Sequence, residues 1–283
     1  IQGQTQTGKP SFTPGNPSVP MDDDVPATFE DGSTTKVIPG EGTYTVSPDG
    51  TVTFVPEKAF TGTGTGVTVK RVDKNGTAIT ATYTPTVTPV TPTAESVTSI
   101  GNKGQTQTGK PSFTEGDSRV PMNNQVPATF DDGSTTKTIS GVGTYTVAAD
   151  GTVTFTPEPE FTGTAPAVTV VREDKNGTKA SATYTPTVTP VTPTATPAES
   201  TGPQGLVQTG TVTFTEGDPV APIDKDTITL LDENGQPAAS VEAKSPAGDV
   251  IGTFTVDKET GVVTFTPTDK SYSGDVVPVK VQA

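Results

Sequence analysis

The string DGSTTK stands at Asp31 and again at Asp132, and every long string shared by the first two thirds of the chain keeps that same offset. GQTQTGKPSFT begins at Gly3 and Gly104, VPATF at Val25 and Val126, GTYTV at Gly42 and Gly143, and DKNGT at Asp73 and Asp174. A fixed internal period constrains architecture more than any other feature of a sequence. A period of about 100 residues is too long for one turn of a solenoid and long enough for a unit with its own core. A divergent third copy follows. GLVQTGTVTFTEGD from Gly205 matches the start of the repeat, and GTFTVDKETGVVTFTP from Gly252 matches GTYTVAADGTVTFTP from Gly143 after a short insertion. YSGD at Tyr272 answers FTGT at Phe161, and the third copy lacks a counterpart of DKNGT. The reading is three tandem units over residues 1–96, 97–198 and 199–283, the last shorter by about one hairpin strand.

Within a unit the period is that of strands. TYTVSPDGTVTF places Tyr44, Val46, Val52 and Phe54 on one face and Thr43, Thr45, Thr51 and Thr53 on the other, about an SPDG turn. GVTVKRVDKNGTAITATYT gives a second hairpin, with Val67 and Val69 inward and Asn75-Gly76 reversing the chain. The positive backbone φ of that turn also accounts for its asparagine. KPSFT, VPATFED and STTKVI read as three shorter strands. About seven short strands and no helical period predict an all-β fold of three tandem immunoglobulin-like sandwiches, arranged as an elongated string of beads. The expected core of the first is Phe12, Phe29, Ile38, Tyr44, Val46, Val52, Phe54, Phe60, Val67, Val69 and Tyr83.

The segment TYTPTVTPVTPTA occupies residues 82–94 and 183–195. Its start reads as the last strand of a unit, with prolines that limit pairing to one edge. Its remainder reads as a stiff, extended spacer between beads.

Leu, Ile, Val and Phe make up about a fifth of the residues, at the margin where chains stay disordered. The 59 threonines offset this, because Thr forms strands that face water. The alternative is partial disorder, with folding only under crowding or in tandem.

With no Cys and no His, the chain has no disulfide, no thiolate nucleophile, no Cys/His zinc site and no imidazole base. A net charge of −14 opposes binding to nucleic acid and anionic membranes. No run of 18 apolar residues is present to span a bilayer. The chain starts at Ile1 without a signal peptide, which reads as a piece of a longer protein.

The set GTYTV, DGTVTFTP, FTGT, VTV and DKNGT resembles the CshA-type fibril repeat of Gram-positive, especially streptococcal, surface adhesins. The matching residues are 42–46, 50–56, 60–62 and 73–76, with equivalents at 143–147, 151–157, 161–163 and 174–177, and at 252–256, 261–267 and 272–274 in the third copy. The resemblance implies a fibrillar protein covalently anchored to the cell wall, whose tandem repeats form a stalk. It also implies a separate N-terminal region, absent from this sequence, that binds host fibronectin.

Several groups offer chemistry, and each has a plainer reading. Asp22, Asp23 and Asp24 suggest a calcium loop, but the second copy has MNNQVP there, so a solvated acidic loop is preferred. Lys9 with Asn75, and Lys110 with Asn176, suggest an isopeptide crosslink, but Thr211 replaces the lysine in the third copy. Asp22 with Glu57 suggests a glycosidase pair, with nothing to bring the two together. Phe60, Phe161 and Tyr272 are read as plugs at the sandwich end rather than adhesive aromatics. Arg71, Arg119 and Arg172, the only arginines, form no hot-spot cluster in the sequence.

No catalytic, cofactor or metal residue is therefore assigned, and no enzyme is expected. The leading expectation is a monomeric stretch of cell-surface stalk whose partners are its own adjacent repeats. The alternative is a binding module that holds host fibronectin or other bacterial cells by multivalent contacts.

Overall fold

The computed structural model describes every residue from Ile1 to Ala283. The chain forms two compact units. One comprises Ile1–Ile100, Thr106–Glu158 and Thr164–Thr187, and the other Gly101–Gln105, Pro159–Gly163 and Val188–Ala283. The first holds the whole first copy of the repeat and most of the second. The third copy lies in the other.

In the first copy, β1 (Gln6–Gly8), β2 (Thr28–Phe29), β3 (Thr35–Ile38), β4 (Gly42–Val46), β5 (Val52–Pro56), β6 (Gly62–Thr63), β7 (Val67–Val72), β8 (Ala78–Tyr83) and β9 (Thr86–Val87) follow in order. One antiparallel sheet runs β1-β5-β4-β3 and the other β2-β7-β8, with β6 and β9 as a separate pair. The β4–β5 hairpin pairs Tyr44 with Phe54 and Val46 with Val52, so all four apolar side chains fall on the buried face. Its turn closes through Ser47 N–H to Thr51 O at 2.8 Å and Gly50 N–H to Ser47 O at 2.9 Å, and Gly50 takes φ +90°.

These side chains meet Ala27, Phe29, Val67 and Val69 from the other sheet, making a two-layer sandwich. Phe12, Ile38, Phe60 and Tyr83 complete its margin. All eleven residues expected in the core are there. Ala27 and Val87 join them unforeseen. Each fully buried apolar side chain contributes about 1.5–3 kcal/mol.

The next strands are β10 (Thr93–Glu95), β11 (Val97–Asn102), β12 (Gln107–Gly109) and β13 (Ser112–Thr114). The second copy repeats the first sheet as β12, Val153–Pro157, Gly143–Val147 and Thr136–Ile139. Its other sheet gains β11 at the edge of Lys179–Thr189, ahead of Val168–Glu173 and Thr129–Phe130. The third copy keeps the four-stranded sheet through Gln208–Thr211, Val262–Pro267, Val250–Val256 and Ser240–Lys244. The inserted residues there form a short strand, Pro237–Ala238, beside Thr229–Leu231, which in turn pairs with Lys280–Gln282.

Three sequence expectations change. The KPSFT strand forms in the second copy as β13 and in the third as Thr213–Thr215, while residues 11–13 of the first copy lie outside any strand. The reason is the partner. β13 exists by pairing with β10, and Thr213–Thr215 by pairing with Thr194–Thr196. Consequently the Pro-Thr segment is not a free spacer, because its last residues are a strand of the following sandwich. Finally, the asparagines of the DKNG turns do not adopt positive φ. That conformation falls on Gly76 (+78°) and Gly177 (+82°) alone.

Candidate functional site

The structural feature shared by the copies is the junction between them, and it begins in the Pro-Thr segment. Val87 is buried in the first core, and β9 pairs with β6. Val90 is buried too, and its N–H donates to Gln2 Oε1 at 3.1 Å. Gln2, itself buried, donates its backbone N–H to Thr88 O at 2.8 Å and its Nε2 to Lys58 O at 2.8 Å. Two residues later the chain is anchored again. Thr93, Ala94 and Glu95 pair with Thr114, Phe113 and Ser112. Only Thr91 and Pro92 separate the two anchorages, and Pro92 fixes one of the few free dihedrals.

The segment then crosses to the second sheet. Ser96 Oγ accepts the Thr183 N–H at 2.9 Å. The Ser99 hydroxyl donates to Gln107 Oε1 at 2.6 Å and accepts from the Tyr184 hydroxyl at 2.6 Å. Gln107 Nε2 donates to Thr187 O at 3.0 Å. One run of chain thus closes both sheets of the sandwich that follows it. The third copy repeats the first half of this closure. Thr194, Ala195 and Thr196 pair with Thr215, Phe214 and Thr213, and the Ser200 hydroxyl donates to Gln208 Oε1 at 2.9 Å.

A polar clasp backs each junction strand. Asn176 Nδ2 donates to Gln2 O at 3.1 Å, and Gln4 Nε2 to Arg119 O at 3.4 Å. Gly3 sits so close to Asn176 that a Cβ would lie 2.1 Å from its Oδ1. At the next junction, Asn102 Nδ2 donates to the Asp218 carboxylate, which also accepts from Gln105 Nε2 at 3.4 Å. Hydrogen bonds from the Val220 N–H and from Asn102 hold the Asp218 carboxyl below its ordinary pKa. The partners are mostly neutral amides and backbone carbonyls. Such an arrangement orients and fastens, and it has no nucleophile or base poised against a cavity.

The residues singled out in the sequence lie elsewhere. Asp22 and Asp24 receive Lys74 Nζ at 2.8 and 3.3 Å, and Asp23 receives Arg71 Nη2 at 2.7 Å, so the three carboxylates are engaged by two cations. Arg172 instead donates to Asn124 at 2.7 Å and lies 5.8 Å above the Phe113 ring. Lys9 and Lys110 pair with Asp49 and Asp150, each at 3.2 Å, and not with Asn75 or Asn176. Glu57 accepts the Gly40 N–H at 3.0 Å on a different loop from Asp22. Phe60 packs edge-on to Phe54, with centroids 6.2 Å apart. Phe161 and Tyr272 are half-buried. Arg119 is held bidentate by Asp117 at 3.0 Å.

Gln2, Gln4, Asn102, Gln105 and Asp218 went unforeseen as junction residues, since a polar side chain shows no periodicity. A signal was available in Gly15, Gly116 and Gly217, which recur in all three copies. Neither Gly116 nor Gly217 takes the positive φ that a turn glycine supplies.

The profile of the surface adhesin CshA repetitive domain matches the chain three times, over residues 1–87, 89–188 and 190–283. The solved structure of repeat domain 13 of the fibrillar adhesin CshA from Streptococcus gordonii is 66% identical, over 25% of this chain and 91% of that one, with a TM-score of 0.16. Drosophila N-cadherin EC1-3 is 13% identical over 85% of this chain and 76% of that one, with a TM-score of 0.31. The N-terminal eight immunoglobulin domains of Down syndrome cell adhesion molecule are 15% identical over 98% and 37%, with a TM-score of 0.25. No curated protein matches the chain.

Proposed function

Because the chain belongs to the family of surface adhesin CshA repetitive domains, we propose that it is a length of stalk that carries a separate N-terminal adhesive region away from the bacterial surface. The family is one of fibrillar adhesin repeats on the cell surface, not an enzyme family. Covalent anchoring of the whole protein to the cell wall belongs to the same proposal, as does the division into working repeats at 1–96, 97–198 and 199–283. The partners of each repeat are then its neighbours in the chain.

The observation that carries this reading is the two-residue gap between Val90 and β10. A tether of a few loose residues lets domains tumble, whereas a run of chain anchored at both ends with only two residues between passes orientation and tension along the chain. A stalk needs that property and a multivalent binder does not. The net charge of −14 discourages neighbouring stalks from associating.

Surface plasmon resonance of this chain over immobilised fibronectin tests the assignment. A stalk gives no saturable response. Saturable binding at micromolar concentration transfers the adhesive function to the repeats themselves and rejects the proposal.

A further inference from the structure

An early strand of the second sandwich lies beside its last. β11 is the neighbour of Lys179–Thr189 in the second sheet. Their contacts climb together along both strands. Ser96 Oγ accepts the Thr183 N–H at 2.9 Å, Ser99 meets the Tyr184 hydroxyl at 2.6 Å, and the Lys103 N–H donates to Thr189 O at 2.8 Å. Partner numbers that rise in step mark a parallel pair, since in an antiparallel pair one rises as the other falls. On its other side the same last strand runs antiparallel to Val168–Glu173.

This parallel pairing fixes how tension reaches the bonds between the two strands. The chain enters β11 at Val97 and leaves its partner at Thr189, so a pull on the two ends draws the strands lengthwise past each other. Every bond across the pair is then strained at once. An antiparallel pair would put entry and exit at the same end, and its bonds would open one after another. Side chains reinforce the pair. Thr183 Oγ1 donates to Ser96 Oγ at 3.0 Å, and Thr189 Oγ1 lies 3.2 Å from Gly101 O and 2.8 Å from Asn102 Oδ1. Tyr184 is 0% exposed and Val188 1%, which keeps water from competing for the bonds beside them. The last rung recurs one period earlier, where the Gln2 N–H donates to Thr88 O at 2.8 Å.

We propose that β11 and Lys179–Thr189 form a shear clamp, which makes the second sandwich a load-bearing unit that resists tension along the chain more strongly than tension that parts the same strands from one end. The inference rests on the stalk reading for the source of that tension, and on the strand register for the clamp itself.

The chain has no cysteine, so an introduced pair sets the pulling axis. In the whole chain, Thr91→Cys with Thr192→Cys loads the two strands lengthwise from opposite ends. Thr91→Cys with Lys179→Cys loads them from one end. All three side chains are exposed, so both variants keep the parent fold, which their melting temperatures check. Optical tweezers with DNA handles on the cysteines record the unfolding force at one loading rate, and the event is recognised by about 3.5 Å released per residue between the handles. Forced unfolding reads the barrier along the pulled axis, and the lengthwise force is expected to exceed the one-ended force by about twofold or more. Equal forces, or a larger one-ended force, would overturn the clamp and leave the stalk assignment standing. Fibronectin binding would remove the stalk and leave the force ratio as it is.

Discussion

A methyl group placed on Gly116 would lie 2.4 Å from the carbonyl oxygen of Thr91, although Gly116 has an ordinary negative-φ backbone. The missing side chain makes room for the junction strand. Gly116→Ala therefore forces β10 away from β13, at a cost of about 1–3 kcal/mol. Hydrogen exchange at Thr93, Ala94 and Glu95 should accelerate. Gly15→Ala, the same substitution at the equivalent open position, should leave the thermal melt unmoved.

Buried Glu41 and exposed Thr65 form a hydrogen-bonded pair that the second copy replaces as a pair, by Val142 and Pro166. The Glu41 carboxylate accepts the Tyr44 hydroxyl, the Thr65 N–H at 2.9 Å and the Thr65 hydroxyl at 2.7 Å. In the second copy the Tyr145 hydroxyl donates instead to Pro166 O at 2.6 Å. Glu41→Val alone leaves three donors without their acceptor and should cost about 1–3 kcal/mol. Adding Thr65→Pro supplies the second copy's solution and should recover part of that loss, a coupling that a double-mutant cycle on melting free energy measures.

The same pair predicts an acid sensitivity confined to the first copy. Burial raises the Glu41 pKa, but the hydrogen bonds from Tyr44 and Thr65 outweigh it and leave the folded value below the ordinary 4.5. A lowered folded pKa contributes stability above the unfolded value, and that stability is lost as pH falls through the folded one. Amide exchange around Thr65 should therefore rise below about pH 4.5. Exchange around Pro166 should not follow it, since Val142 cannot titrate.

Tyr184 stacks on Gly109 so tightly that a Cβ there would lie 2.2 Å from its ring, and the tyrosine is fully buried. Tyr184→Ala removes a large side chain from a site that β11 closes and should cost about 3–5 kcal/mol. Tyr83→Ala should cost less, because the homologous ring is partly exposed beside an open edge. Paired thermal melts of the two variants check the ordering.

Alternation exposed the strands and core of a single sandwich, because the requirement that Tyr44, Val46, Val52 and Phe54 share one face is local. Turn chemistry was legible in its glycines and not in its asparagines, since only Gly76 and Gly177 needed positive φ. The junction was hidden by a different cause. Thr93, Ala94 and Glu95 look like linker residues, and they become a strand only because Phe113 and its neighbours, 19 residues on, present an edge. Whether KPSFT is a strand likewise depends on what lies beside it, which identical sequence in the first two copies cannot reveal. Val87 and Val90 were read past because proline neighbours suggested an exposed spacer, yet each is buried.

Asp218 offers a final test of the clasp behind the junction strand. Its carboxylate accepts from Asn102 and Gln105, while the Val220 N–H donates to its other oxygen at 2.9 Å. Asp218→Ala removes all three acceptor contacts without altering the β-ladder between Thr194–Thr196 and Thr213–Thr215. Exchange at Asn102 and Gln105 should accelerate while the ladder amides stay protected. Acid should mimic the substitution. The folded Asp218 pKa lies below the ordinary 3.8, so the clasp holds above that value and loosens as pH falls through the folded one. Equal exchange in the variant and the parent at neutral pH would show that the ladder alone fixes this junction.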